Sequence, residues 1–376
     1  MVNLELSEEQ SAVRQLARDF VEREITPHVV AWDRAEEVDR GVVKKLGEVG
    51  FLGLTIDEEY GGSGGDHLAY CLVTEELGRG DSSVRGIVSV SLGLVAKTVA
   101  AHGSEEQKRR WLPGLTCGAS IGCFGLTEPG TGSDAGSLAT RAVRDGDDYV
   151  LNGTKMFITN GVHADLYFVA AKTGPGKREV SMFIVEKGTP GFTVGRALKK
   201  TGWLSSDTAE LVFDNVRVPA ANLLGEEGKG FYSVMKNFQT ERIALAAMAV
   251  GHCQQALKLT LDYVRQRQAF GGPLWDKQVI RQRLAMLDAK TRAAREFMYH
   301  CAWRVTQGHD IVQDVSMLKA LTGELVNEVV QTCQQFHGGM GYIRETAIER
   351  LWRDARVLAI GGGATAVMLE EVAKRY

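Results

Sequence analysis

Val234-Met235-Lys236-Asn237-Phe238-Gln239-Thr240-Glu241-Arg242-Ile243-Ala244-Leu245-Ala246-Ala247-Met248 reads as part of one long helix. Val234, Phe238, Leu245 and Met248 fall at offsets −7, −3, +4 and +7 from Glu241, which draws a continuous apolar stripe at 3.6 residues per turn. Glu241 lies inside that stripe, where a core-facing helix normally carries an apolar side chain. A carboxylate there loses hydration, so its proton affinity rises toward that of a general base. The same spacing also allows a plainer arrangement, with Glu241 at the stripe's edge and paired to a cation such as Arg242.

Outward from this helix the 3.6 period persists over 231–267, 277–306, 311–336 and 343–357, with Gly271-Gly272-Pro273 as a breaker. Residues 4–115 also read as helices, among them 7–24, 41–49 and the run 69–102 broken near Gly80-Asp81. Ser7-Glu8-Glu9-Gln10 is a capping box opening the first of these. Between the two helical parts the texture changes to short β-branched or aromatic runs at 149–151, 156–159, 166–170, 180–185 and 209–213. Turn signals separate them: Asp145-Gly146-Asp147, Asn152-Gly153, Asn160-Gly161 and Thr189-Pro190-Gly191. The expected architecture is a multidomain α+β fold. It has an N-terminal helical domain (1–119), a middle β-barrel or β-sandwich domain (120–228) and a C-terminal four-helix bundle (229–376).

Composition narrows the function classes. The 376 residues exceed the usual size of a single core, and 44% hydrophobic with 24% charged residues is ordinary for a globular protein. A net charge of −3 with no basic run predicts neither nucleic-acid nor membrane binding. No apolar stretch approaches the roughly 20 residues that span a bilayer, and the acidic N-terminus is unlike a transit peptide. The six cysteines are scattered without a CxxC pair or metal spacing, so the expectation is buried free thiols in the cytoplasm and no metal site.

Two glycine-rich segments carry candidate chemistry. Gly125-Leu126-Thr127-Glu128-Pro129-Gly130-Thr131-Gly132-Ser133-Asp134 lets backbone N–H groups approach an anion or planar ring, or is a surface turn. It lacks the GxGxxG pattern and the βαβ setting of a Rossmann site. Gln335-Phe336-His337-Gly338-Gly339-Met340-Gly341-Tyr342 is either a corner between helices or a place where another chain's cofactor comes close.

Together these segments resemble the acyl-CoA dehydrogenase family of flavoproteins, over essentially the whole chain. Further matches in the same order are Lys155-Met156-Phe157-Ile158-Thr159-Asn160-Gly161, the stretch from Asp207 to Phe231, Arg267 with Phe270, Gly271 and Gln278, and Glu345, Arg350, Arg353 and Asp354. The resemblance implies that Phe124, Leu126, Thr127, Gly132, Ser133, Phe157 and Thr159 lie along FAD. It implies that Arg267, Phe270, Gln278, Gln335 and Gly339 hold the FAD of a neighbouring subunit in a homotetramer, and that Ser133, Arg242 and Gly362 serve the acyl-CoA substrate. The implied reaction removes the α-proton of an acyl thioester while hydride leaves the β-carbon for the flavin, and electrons pass to an electron-transferring flavoprotein.

The chain departs from many relatives in one decisive place. They carry the base in a Tyr-Glu-Gly-Thr run, which corresponds here to Gly361-Gly362-Gly363-Ala364 and has no carboxylate. The long-chain and isovaleryl types instead place it before an arginine on the first long helix of the bundle, which is Glu241-Arg242. The family resemblance and the apolar stripe therefore meet on Glu241, while Gly362 keeps a backbone N–H for the thioester carbonyl. Phe157 stands where Trp is common, and Ala269 and Ala364 replace hydroxyl residues. On the same fold the alternatives are an acyl-carrier-protein dehydrogenase, an enoyl-thioester reductase, an oxygen-using oxidase or a non-catalytic flavin-binding relative.

Overall fold

The computed structural model describes residues 5–376. Helix α1 (Glu8–Phe20) starts at the capping box, in which Ser7 and Gln10 exchange side-chain-to-backbone bonds of 3.1 Å each. A π-helical turn, Val21–Ile25, extends it. Next come α2 (Val29–Ala35), α3 (Arg40–Glu48) and α4 (His67–Gly80), followed by α5 (Ser82–Val88), α6 (Lys97–His102) and α7 (Glu105–Thr116). Asp66 and Asp81 cap α4 and α5 by accepting from Ala69 N and Val84 N at 2.7 and 2.8 Å.

A π-helical stretch, Ser89–Ala96, joins α5 to α6 into one rod, Ser82–His102. Its 21 residues reach a mean hydropathy of 1.5, long and apolar enough to cross a membrane, which corrects the expectation that no such stretch exists. Arg85 and Lys97 interrupt the apolar run and so hide its length in the sequence. In the fold the rod is mostly buried, as a core helix.

The middle of the chain forms an eight-stranded sheet: β1 (Gly122–Gly125), β2 (Arg141–Asp145), β3 (Asp148–Thr159), β4 (Leu166–Lys172), β5 (Val180–Glu186), β6 (Phe192–Ala197), β7 (Thr208–Pro219) and β8 (Leu223–Leu224). The order is β6-β7-β3-β2-β4-β5-β8, with β1 parallel on β4. Strands β4 and β5 are apolar throughout because both their faces are covered. Tyr167, Val169 and Phe183 enter the sheet's own core, while Phe168, Ala170, Met182 and Ile184 pack on the helical core.

Asn152-Gly153 is not a turn. It lies inside β3, where the register against β7 shifts between Leu151 and Gly153. The expected strands at 149–151 and 156–159 are thus one bulged strand. A Cβ on Gly153 would stand 2.4 Å from Thr140 Oγ1, which explains the glycine. Strands β2 and β6 gave little signal because most of their residues are exposed.

The C-terminal part comprises α8 (Gly230–Gln266), a two-stranded ribbon of β9 (Gln268–Ala269) and β10 (Gly272–Pro273), α9 (Gln278–Thr306), α10 (Val312–His337), α11 (Ala347–Ala355) and α12 (Thr365–Ala373). The helix expected over 343–357 is shorter, because residues before Thr346 form a turn and Arg356–Ala359 tightens to 3-10 geometry. Of the six cysteines, all free, five are buried as expected and Cys117 is exposed.

Helix α8 lies between α10 and α4. Its approach to α4 is close enough that a Cβ on Gly251 would sit 2.2 Å from Glu75 O, and one on Gly78 would sit 2.9 Å from Met248 Cα. Gly251→Val is therefore expected to lower stability by about 2 kcal/mol or more, read by urea unfolding. An unchanged unfolding midpoint would show that this crossing is not tight.

Candidate active site

Glu241 is 5% exposed and points away from Arg242, into a polar chamber built by four helical segments. From α4, Tyr70 OH donates to its Oε2 at 3.4 Å. From α5, Arg85 Nη2 approaches Oε1 at 3.4 Å. Ser89, the first residue of the π-helical stretch, donates its hydroxyl to the same oxygen. From α6, Lys97 Nζ donates to Thr240 Oγ1 at 2.8 Å, beside the carboxylate. A side chain at Gly93 would put its Cβ 2.3 Å from Glu241 Oε2, so the glycine leaves the carboxylate its space.

The electrostatics follow from that enclosure. Burial raises the Glu241 carboxyl above the usual carboxylate range, and Arg85, Ser89, Lys97 and Tyr70 oppose the rise. Burial also pushes Lys97 down to about 8, and Tyr70 well above its ordinary range. A carboxylate with raised proton affinity, held by donors in a dry chamber, is chemically equipped to take a proton from carbon.

Arg242 does not pair with Glu241. Its Nε donates to Gly362 O at 3.2 Å, while Lys319 donates to Gly363 O, so two cations pin the glycine turn 361–363 to the bundle. Gly362 has φ +68, and a Cβ there would lie 2.3 Å from Leu245 Cδ1. Position 362 thus lies beside α8 one turn beyond Glu241, and it is closed to a larger side chain.

The first glycine-rich segment is anchored by a buried ion pair. Lys155 Nζ reaches Glu128 Oε1 at 2.7 Å and Leu126 O at 3.2 Å, and Glu128 also accepts from Ala139 N and Thr140 N at 2.6 and 3.0 Å. Thr127 O accepts from Met156 N at 2.8 Å, which fastens this loop beside the end of β3. Phe124 packs edge-on against Phe238 of α8 at 5.9 Å, so the end of β1 meets the Glu241 helix. Gly132 and Ser133 are exposed on the loop.

Phe157 sits in a second β3–β7 register shift with φ +61, which turns its ring out, 65% exposed, two residues before Thr159. A strained backbone presenting an uncovered ring is not explained by the chain's own packing, and it fits a planar group lying against it.

At the far end of α8, Arg267, Phe270, Gln278, Gln335 and Gly339 are all exposed. Tyr263 stacks on His337 at 4.4 Å and donates to its carbonyl at 3.2 Å, tying the 267–278 turn to the 338–342 turn. Phe270 is 90% exposed with φ +54. Among the described residues, no hydrogen bond, ion pair or ring contact joins either turn to residues 124–159 of the same chain. The structure thus brings together Phe124, Leu126, Thr127, Phe157 and Thr159 in one place and the five bundle residues in another.

Sequence reasoning missed Tyr70, Arg85, Ser89 and Lys97. The available signal was two cations inside an apolar helical run, with Arg85 and Ser89 one turn apart. Tyr70 gave none.

Comparison with known proteins agrees with this architecture. The N-terminal, middle and C-terminal domain descriptions of acyl-CoA dehydrogenase match residues 7–119, 123–216 and 228–376. An acyl-CoA dehydrogenase of Bacillus subtilis (strain 168) is 40% identical over 97% of both chains. The butyryl-CoA dehydrogenase structure from Megasphaera elsdenii superposes with a TM-score of 0.96 at 38% identity, covering 100% of this chain and 99% of that one. A chain solved in work on the electron transferring flavoprotein of Acidaminococcus fermentans gives 0.97 at 38% identity, with coverage of 100% and 99%. The chain belongs to the acyl-CoA dehydrogenase family. It is an FAD-dependent oxidoreductase acting on CH–CH bonds.

The raised Glu241 carboxyl carries a stability consequence. A folded-state pKa above the unfolded value favours the protonated group in the fold, so the parent protein loses stability as pH rises through the folded value. Glu241→Gln cannot ionise. Its melting temperature relative to the parent is therefore expected to climb between about pH 5 and about pH 8, measured by differential scanning fluorimetry. A flat difference would mean the buried carboxylate is not held above its usual range.

Proposed function

We propose that this chain oxidises an acyl-CoA thioester to its trans-2-enoyl thioester, with Glu241 as the base that removes the α-proton. The observation that carries the reading is the buried Glu241 carboxylate, raised in proton affinity, at the junction of α8 with the loop after β1, while the turn 361–363 holds no carboxylate. FAD, when bound, supplies the acceptor for the hydride that leaves the β-carbon. Phe124, Leu126, Thr127, Gly132, Ser133, Phe157 and Thr159 hold it from one protomer, with Phe157 against the ring. Arg267, Phe270, Gln278, Gln335 and Gly339 hold it from a neighbour within a homotetramer. Their exposure on a bundle end that has no contact with residues 124–159 of the same chain supports that division.

Ser133 and the Gly362 N–H serve the thioester, the N–H as a donor to its carbonyl. Arg242 acts one step removed, by fixing Gly362 through its 3.2 Å bond. Electrons leave to an electron-transferring flavoprotein, a reading supported by the solved relative from work on such a protein. Buried free thiols fit a reducing cytoplasm.

Glu241→Gln keeps the shape of the side chain and removes its basicity. Anaerobic flavin reduction by a good acyl-CoA is expected to fall by roughly 10²-fold or more, with FAD content unchanged. Adding Gly362→Glu to Glu241→Gly is expected to restore nothing, since Leu245 occupies the space a Cβ needs. Near-normal reduction in the Gln variant would remove Glu241 from the role of base.

Dilution offers a second test. Flavin release, followed by fluorescence, is expected to track dissociation of subunits seen by sedimentation. Monomers that retain FAD tightly would contradict the shared site.

A further inference from the structure

Arg85 is the largest fully buried side chain of the fold, and it is poorly satisfied there. It is 1% exposed, yet among the described residues its guanidinium makes a single hydrogen bond, the 3.4 Å contact to Glu241, and its Nε has no acceptor at all. A guanidinium carries five N–H donors, and a fork of that shape is normally satisfied by a bidentate carboxylate. Glu241 gives Oε1 to Ser89 and Arg85 and Oε2 to Tyr70, so it meets the fork through one oxygen and at long range.

The charge count points the same way. Lys97 adds a second cation, bonded only to the Thr240 hydroxyl, and Glu241 is the one carboxylate within bonding distance of either cation among the described residues. An enclosed chamber with two cations and one anion has a place for a second anion.

Resting on the dehydrogenase reading, we propose that Arg85 receives a carboxylate at the far end of a short acyl group. This carboxylate takes the place of Glu241 on the guanidinium. The base is thereby freed of its cation only when the right substrate is present. Because Arg85 Nη2 and the carbon losing its proton both lie close to Glu241 Oε1, the carboxylate sits roughly two or three carbons beyond that carbon. In the reaction the α C–H bond breaks with its proton passing to Glu241. The β-hydrogen leaves as hydride to the flavin, the C=C bond forms, and the terminal carboxylate is unchanged.

The test compares the CoA thioesters of pentanoic and pentanedioic acid, which have equal carbon counts and differ in a terminal methyl or carboxylate. Anaerobic flavin reduction by the holoenzyme is expected to favour the pentanedioic thioester by about 100-fold or more, and Arg85→Gln is expected to abolish that ratio. Calorimetric binding to Glu241→Gln supplies a readout free of turnover and of any folding defect at position 85. With its competing carboxylate gone, Arg85 is expected to bind the pentanedioic thioester about tenfold or more tightly than in the parent, with no such gain for the pentanoic one.

A parent enzyme that prefers the pentanoic thioester, or equal binding changes for both in Glu241→Gln, overturns the proposal while leaving the dehydrogenase reading standing. If neither these two nor any other acyl-CoA reduces the flavin, the dehydrogenase reading itself falls.

Discussion

Burying the Glu241 carboxylate demands that α4, α5 and α8 come within reach of one another, and the sequence supplies small residues for that purpose at each crossing. Gly78 and Gly251 let α4 and α8 touch through backbone, and Gly93 leaves room opposite the carboxylate oxygens. The donors that offset the cost of burial then come from separate elements: Tyr70 on α4, Arg85 on α5, and Ser89 where the rod widens into π geometry. Loss of one partner would leave an uncompensated charge inside the protein, so the chamber holds the N-terminal helices to the bundle as well as shaping its chemistry. Helix α8 carries the consequence across the molecule. Its 37 residues make a rod about 55 Å long, with Glu241 toward one end and the Tyr263–His337 stack at the other.

Where the sequence was legible, a physical period or a cap made it so. The stripe around Glu241 marked a buried carboxylate because no other side chain in that row is charged. The Ser7–Gln10 box marked the first helix start to the residue. The class of fold was legible from the switch between periods of 3.6 and 2. What stayed hidden depended on partners distant in the chain. Asn152-Gly153 carries a hairpin signature, yet its glycine is required by the approach of Thr140 within a bulged strand. Arg85 and Lys97 looked like breaks in an apolar run, and nothing local revealed that both face a carboxylate more than 140 positions away. The π stretch Ser89–Ala96 has no sequence pattern of its own.

The two aromatic rings at strained positions divide the surface. Phe157 and Phe270 both have positive φ and both face outward, one from the sheet and one from the ribbon before α9. Each ring is held by backbone geometry that its own side chain does not favour, so the surrounding hydrogen bonds fix it before any partner arrives. The Glu128–Lys155 pair does this beside Phe157, and Lys277, which donates to Phe270 O and lies 5.9 Å from its ring, does it for Phe270.

The turn 361–363 sets a limit on the descent of this chain. With φ +68 at Gly362, φ +110 at Gly363, and Leu245 and Met368 against the two missing Cβ positions, no single replacement admits a longer side chain there. A lineage that settled its carboxylate on α8 and let Leu245 grow into the vacated space cannot return by one step. Leu245 would have to shrink first, a change that opens a cavity beside the turn and has no immediate use. The packing of one leucine against one glycine therefore acts as a ratchet, keeping the chemistry on α8 through neutral drift elsewhere.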